Sequence, residues 1–367
     1  MNTSYCNGNE LMRLGQVLGF SHERIKSTLA HPAKDELLGM AWRSMELLSK
    51  DLLKERLAQF EHDLKFLQES GGRILTPQSE DWPFKESLEA RDSPAFLTIV
   101  GEFPDKRALG VVGSRTASPA AHSACVDLVR FWAERTDGCV VSGGALGIDS
   151  CAHRTSLELG IKTIVIAGSG LANPWPAKNR RLFEQIASRG CLLSEFPPSF
   201  RARKWSFVQR NRLIARLADP LCIIEPRLKS GAMHTANFGL KDRRNVFVLP
   251  VSIEQDNLAA HDRLKEAGAC TLSTLDDLLS DGDRPPEAKK ENSLFDSQKR
   301  MMVLPHPDPE LGGLLDLLGK QAIHFDEIRL RWNMASDECC EKLLDFELDG
   351  WVEEIHSGLF RRLRGSV

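Results

Sequence analysis

Three turns in the middle of the chain combine glycines with small polar residues in a way suited to holding an anion. They are Val112-Gly113-Ser114-Arg115, Val141-Ser142-Gly143-Gly144-Ala145-Leu146-Gly147-Ile148-Asp149 and Ala167-Gly168-Ser169-Gly170-Leu171. Each follows a short apolar run and precedes a helical pattern. Glycine lets the main chain approach a ligand closely, and the helix start offers unpaired N–H groups and partial positive charge, which is what a phosphate needs. Glycine also simply closes tight strand-to-helix turns, so one such loop says little, whereas three together favour an anion-binding edge. Further on, the segment 201–216, RARKWSFVQRNRLIAR, carries six basic residues, no acidic ones, and the rings of Trp205 and Phe207. Charge for phosphates interleaved with flat rings for unpaired bases is the requirement of single-stranded nucleic acid. The plainer alternative is a solvated basic helix.

Other chemistries find less support. None of the turns has the GxxxxGK[ST] pattern of a nucleoside-triphosphate loop. The middle turn lacks GxGxxG spacing, and no acidic residue ends the next apolar run, Ile164-Val165-Ile166-Ala167, so a dinucleotide cofactor is disfavoured. No nucleophile–base pair stands out. Ser114, Ser142 and Ser194 have no identifiable partner, His153 falls within a helical pattern, and Glu195 and Glu225 follow different apolar runs.

The elements that must position these residues are legible as alternation. Apolar runs at Leu109–Val112, Cys139–Val141, Thr163–Ala167, Cys191–Leu193, Leu221–Ile224 and Val246–Leu249 alternate with helical spacing, as through Val126, Leu128, Val129 and Trp132. Continuous apolar strands separated by helices predict a parallel sheet covered on both faces, a doubly wound, Rossmann-like α/β fold over residues 71–280. In such a sheet all strand-to-helix turns gather at the carboxyl edge. Upstream, Leu11, Leu14, Val17 and Leu18, and then Met45 through Leu67, repeat at helical spacing and predict a small helical N-terminal domain over 1–70, ended by Gly71-Gly72. Residues 281–309 are rich in proline and charge and read as a linker. Residues 310–367 show helical segments near Leu314–Leu318, Phe325–Arg331 and Asp337–Leu348, then an alternating hairpin. That outline is a winged-helix-like domain, with a generic small α/β tail as the alternative.

With 42% hydrophobic and 27% charged residues the chain has ordinary globular composition, and disordered or fibrous classes are excluded. No apolar run is long enough for a membrane span, and no signal-like start is read, so a cytoplasmic protein is expected. Nine cysteines without metal-ligand spacing read as reduced thiols, with neither a disulfide frame nor a zinc site. The net charge of −3 hides an asymmetry. Residues 107–250 hold 21 Lys/Arg against 10 Asp/Glu, while residues 309–367 hold 7 against 12. A polyanion partner is therefore expected on the middle of the chain.

The ordered motifs of residues 74–250 resemble the DNA-processing protein A (DprA, also called Smf) family. The resemblance runs through Gly113-Ser114-Arg115, Ser142-Gly143 with Gly147-Ile148-Asp149 and Ala152-His153, and Gly168 with Trp175-Pro176 and Asn179. It continues through Leu193-Ser194-Glu195, Phe207 with Arg210-Asn211-Arg212-Leu213-Ile214-Ala215, and Ser230-Gly231 with Thr235-Ala236. It implies an extended Rossmann fold that binds single-stranded DNA, protects incoming DNA in natural transformation and helps load the RecA recombinase. It also implies a homodimer; with no catalytic pair standing out among the residues, no enzymatic step and no cofactor are expected. The DNA-binding residues it implies are Gly113, Ser114, Arg115, Gly143, Gly147, Lys204, Phe207, Arg210, Asn211 and Arg212. For Asn211 and Arg212 the alternative is anchoring the strand that follows. For Asp149 and His153 it is helix capping or packing. The chain departs from the family pattern at Gly144, Ala172, Trp175, Pro226, Ala232, Val251 and residues 256–261, which marks a divergent member. A Rossmann-like sensor or enzyme that binds or cleaves a nucleotide is the competing functional reading. A third has the C-terminal unit as a duplex-DNA regulator, and its acidic balance argues against that.

Overall fold

The computed structural model describes residues 7–19, 21–30, 34–84, 93–249, 251 and 255–279, and further on 318, 323–332, 339, 342–343, 346, 352–356 and 359–362. Two compact units result, residues 1–202 with 206–285, and residues 286–367 with 203–205.

The larger unit is built on a nine-stranded sheet in the order β1-β2-β6-β5-β4-β3-β7-β8-β9. These strands are β1 (Arg73–Leu75), β2 (Leu97–Gly101), β3 (Ala108–Gly113), β4 (Cys139–Ser142), β5 (Thr163–Ala167), β6 (Cys191–Ser194), β7 (Ala218–Ile224), β8 (Val246–Leu249) and β9 (Cys270–Thr271). Six of them coincide with the apolar runs, and β3 through β9 pair in parallel, as the alternation predicts. The first two strands depart from that reading. β1 pairs antiparallel with β2, and β2 antiparallel with β6, so one edge of the sheet is mixed.

Period-two alternation divides the core between the faces. Leu109, Val111, Val140, Cys222 and Ile224 face a layer formed by α5 (Pro119–Arg135) and α6 (Ile148–Glu158). Val165, Ala167 and Leu192 extend that layer to α7 (Arg180–Arg189) through Leu182, Phe183 and Ile186. The opposite residues, among them Val112, Val141, Ile164, Ile166 and Ile223, meet Leu213 and Ile214 of α8 (Lys204–Leu217). They also meet Ala232 and Ala236 of α9 (Gly231–Lys241) and Leu264 of α10 (Gln255–Glu266). Burial on both faces makes these strands apolar throughout.

The N-terminal helices α1 (Gly8–Leu18), α2 (His22–Ala30), α3 (Lys34–Arg43) and α4 (Lys50–Glu69) share a core of Leu11, Leu14, Val17, Ile25, Leu38 and Phe60. That core also takes in Ala95 and Phe96 of the larger unit's sheet lead-in. Asn7 opens α1 with a capping box to Glu10. His22 ties this layer to the sheet. Its Nδ1 accepts from the Ala95 amide at 2.9 Å, so Nε2 carries the proton and donates to the Glu195 carbonyl at 2.7 Å.

In the smaller unit, β10 (Ile323–His324) and β11 (Val352–His356) both pair antiparallel with β12 (Leu359–Arg362). The helix Phe325–Trp332 follows β10, and Ile328, Leu343, Val352 and Phe360 are buried together. This is the hairpin-and-helix arrangement of a winged helix. The predicted linker, and the helical segments near Leu314 and Asp337 in the main, lie outside the described residues.

Candidate nucleic-acid interface

Strands β3, β4 and β5 are parallel neighbours, so the three glycine turns leave the sheet at one edge. The first two touch. The Ile148 amide donates to the Ser114 carbonyl at 3.1 Å, which is possible only because Gly147 has no side chain. Gly147 has φ +77°, and a Cβ there would lie 2.2 Å from the Ser114 carbonyl oxygen. Ser114 is buried, its hydroxyl accepting from the Thr116 amide at 3.2 Å, and Arg115 beside it is exposed. Arg115 enters no ion pair among the described residues.

The middle turn is held from inside. The Asp149 carboxylate, in the first turn of α6, accepts from the amides of Gly143 at 3.2 Å and Ala145 at 3.3 Å. Asn179, just before α7, donates to the Gly144 carbonyl at 2.9 Å and to the Ser150 hydroxyl at 2.8 Å. The amides of Gly143 and Ala145 that the sequence would offer to a phosphate are thus taken by an aspartate of the same chain. Asp149 braces the loop ahead of α6 and does not cap that helix, whose N-cap is Gly147 with no side-chain cap.

Helix α8 brings the basic segment onto the third turn. The Ser206 hydroxyl donates to the Gly168 carbonyl at 2.6 Å, and the Phe207 ring lies so close to Gly168 that a Cβ there would meet it at 2.6 Å. Phe207 is half-buried, with the Arg210 guanidinium carbon 5.9 Å from its ring centre. Lys204, the first residue of α8, is exposed.

Arg210 points the other way. It is only 4% exposed, and its guanidinium donates to the carbonyls of Gly143, at 2.6 Å, and Ile166 and to the Asn211 side chain at 3.2 Å. A Cβ on Gly143 would lie 2.6 Å from that guanidinium. Burial pulls Arg210 down to about 10, against the opposing pull of Asp149, and it remains charged at neutral pH. Burial also raises the Asp149 carboxyl, while Arg210 and then Arg115 draw it back down. Arg115, Asp149 and Arg210 therefore sense one another across the first two turns.

The next two residues are also anchored. Asn211 donates to the Gly231 carbonyl at 3.2 Å. Arg212 grips both oxygens of Glu195, at 3.1 and 2.7 Å, and that carboxylate is wholly buried. Glu195 was visible only as a lone acid after a strand; its partner is distant in sequence, and no spacing reveals it. Of the predicted set, the fold gathers Gly113, Ser114, Arg115, Gly143, Gly147, Phe207, Arg210 and Asn211 at one edge. It leaves the Arg115 side chain exposed there and turns Arg210 and Arg212 inward, while Lys204 is exposed at the start of α8.

The strand-end hydroxyls are engaged with the main chain. Ser142 donates to the Val111 carbonyl at 2.6 Å and Ser194 to the Ser169 carbonyl at 2.8 Å. His153 is buried with Nδ1 2.7 Å from the Thr163 hydroxyl, which itself donates to the Val140 carbonyl. That leaves Nδ1 as the protonated nitrogen and Nε2 bare.

Known proteins are similar to this chain. A family model described as DNA recombination-mediator protein A matches residues 73–283, and one described as DprA winged helix domain matches residues 298–358. The chain is 30% identical over 327 residues to the putative DNA processing protein DprA of Mycobacterium tuberculosis, covering 83% of this chain and 80% of that one. It is 29% identical over 322 residues to protein Smf of Escherichia coli, covering 83% and 81%. The X-ray structure of DNA processing protein A from Streptococcus pneumoniae matches with a TM-score of 0.61 at 26% identity, over 74% of this chain and 97% of that one. Both matched domains and these relatives point the same way: this chain belongs to the DNA-processing protein A family.

Proposed function

We propose that the chain binds single-stranded DNA along the carboxyl edge of its sheet and acts in DNA processing as a recombination mediator. In this reading it is a cytoplasmic homodimer that protects incoming DNA and helps load RecA, with no chemical step of its own. The observation that carries the reading is Arg115, an exposed arginine without an ion pair among the described residues, on a turn that shares its edge with the half-buried Phe207 ring. A guanidinium for phosphate and a ring for a base, on the part of the chain with the large basic excess, suit an unpaired strand. Family membership and relatives named for DNA processing, those of Mycobacterium tuberculosis and Streptococcus pneumoniae, support it. No helix among the described residues is long and apolar enough to cross a membrane.

The test is fluorescence anisotropy with labelled poly-dT of increasing length at four salt concentrations, against duplex DNA and free nucleotides. Affinity is expected to grow with length and fall with salt. Arg115→Ala should flatten the slope of log affinity against log salt by about 0.7, the share of one phosphate contact. Tight mononucleotide binding or turnover would instead establish the nucleotide-sensor reading.

A further inference from the structure

The structure assigns a second base-stacking position to Trp175, on the turn between β5 and α7; this rests on the single-strand reading above and extends its track. Burying a large ring is strongly favourable, so an indole left in water calls for a partner. Trp175 is 56% exposed, while Trp82 and Trp132 are buried at 2% and 0%.

Its turn is fixed at both ends. The Ala172 amide donates to the Pro198 carbonyl at 2.9 Å, and the Asn173 side chain to the Ser199 carbonyl at 3.1 Å. On the far side, Asn179 is bonded to the middle glycine turn at Gly144. Trp175 therefore stands in a segment braced between the glycine turn that ends β4 and the loop after β6. The apolar Leu146, 36% exposed, belongs to the first of these.

The charges around it fit a phosphodiester chain. Lys178, Arg180 and Arg181 follow within six residues, and all are exposed. Arg180 bonds Glu184 at 3.3 Å, whereas Lys178 and Arg181 enter no ion pair among the described residues. A flat apolar ring with two open cations beside it, contiguous with the edge that holds Arg115, suits one stacked base and its flanking phosphates. The occupant is the same single strand, continued past the Arg115 turn toward α7.

The experiment uses the full chain with Trp175→Ala, Trp175→Tyr and the double variant Lys178→Ala/Arg181→Ala, titrated with dT oligonucleotides from short to long. Trp175→Ala should weaken long oligonucleotides about tenfold at every salt concentration, as a lost stacking contact does. Trp175→Tyr should stay close to the parent, because the ring remains. The double variant should flatten the salt slope by about 1.4. A 2-aminopurine placed along the strand should show one position quenched in the parent and released in Trp175→Ala. Parent-like binding by Trp175→Ala at every length overturns the assignment, and so does equal weakening by alanine and tyrosine at unchanged melting temperature. If the parent binds no oligonucleotide, it is the single-strand reading itself that fails.

Discussion

Arg210 shows how a charge seen in sequence changes meaning once its burial is known. Within RARKWSFVQRNRLIAR it looks like one more cation for phosphate, yet its guanidinium is closed in by the carbonyls of Gly143 and Ile166. A signal was present. Ser206, Arg210, Leu213 and Ile214 fall at helical spacing on one face of α8, and all are buried. Apolar neighbours at that spacing mark the face, but only the fold supplies Asp149 from another element to oppose the charge. Arg210→Ala should therefore cost about 3–5 kcal/mol of stability, as breaking a buried charge pair does, measured by urea denaturation. A variant as stable as the parent, with a flatter salt slope instead, would return Arg210 to the phosphate track. His153 makes a pH prediction. Burial first, then the nearby Arg210 charge, lowers it from 6.5 to about 3. The unfolded chain thus takes up this proton before the folded one, so stability is lost as pH falls from 6.5 toward about 3. Protonation would place a second N–H on Nε2, which has no partner in the core. His153→Gln should flatten the fall in stability between about pH 4 and 6.5, whatever it does near neutrality; an unchanged slope would assign the acid sensitivity to other groups. Asp149 acts with the opposite sign, because burial raises its carboxyl and the folded state binds that proton more readily.

At the scale of elements, the parallel strands and their helices were readable because burial on both faces leaves a continuous apolar run, bounded by glycine where each helix begins. What could not be read was strand order, since β2 lies beside β6 and β3 beside β7, placements set by long-range pairing and not by any local pattern. Direction was also hidden for β1 and β2. Phe96-Leu97-Thr98-Ile99-Val100 is visibly apolar, but a strand fed by a connection without a helical pattern carries no sign of its orientation. The site was half legible. The turns and their shared edge follow from the alternation, while the closure of the middle turn by Asp149 and Asn179 depends on side chains reaching between elements. The contact of the first two turns is the sensitive point. Gly147→Ala would force a Cβ against the Ser114 carbonyl at a positive φ, and a loss of about 2 kcal/mol or more is expected in denaturant. Tolerance of alanine there would mean that the turns separate easily.

For the whole molecule, the division into two units and the split in charge make one prediction together. A chain ended at residue 285 keeps the sheet unit whole and drops an acidic tail. It should bind poly-dT within a few fold of the full chain, and a hundredfold loss would show that the C-terminal unit touches DNA. The helices at the other end are not separable in this way. His22 bridges the Ala95 amide and the Glu195 carbonyl, the latter 173 residues ahead in sequence, and the Glu195 carboxylate in turn holds Arg212. This has a consequence for synthesis. At roughly 5–20 residues per second, α2 leaves the ribosome about ten to thirty seconds before the carbonyl it must meet. A shorter wait, about five to twenty seconds at that rate, applies to β2, whose inner neighbour β6 is also unmade. These helices are therefore translated well before the sheet residues that lock them, and over that interval the nascent chain shows its apolar helix faces to whatever waits at the exit tunnel.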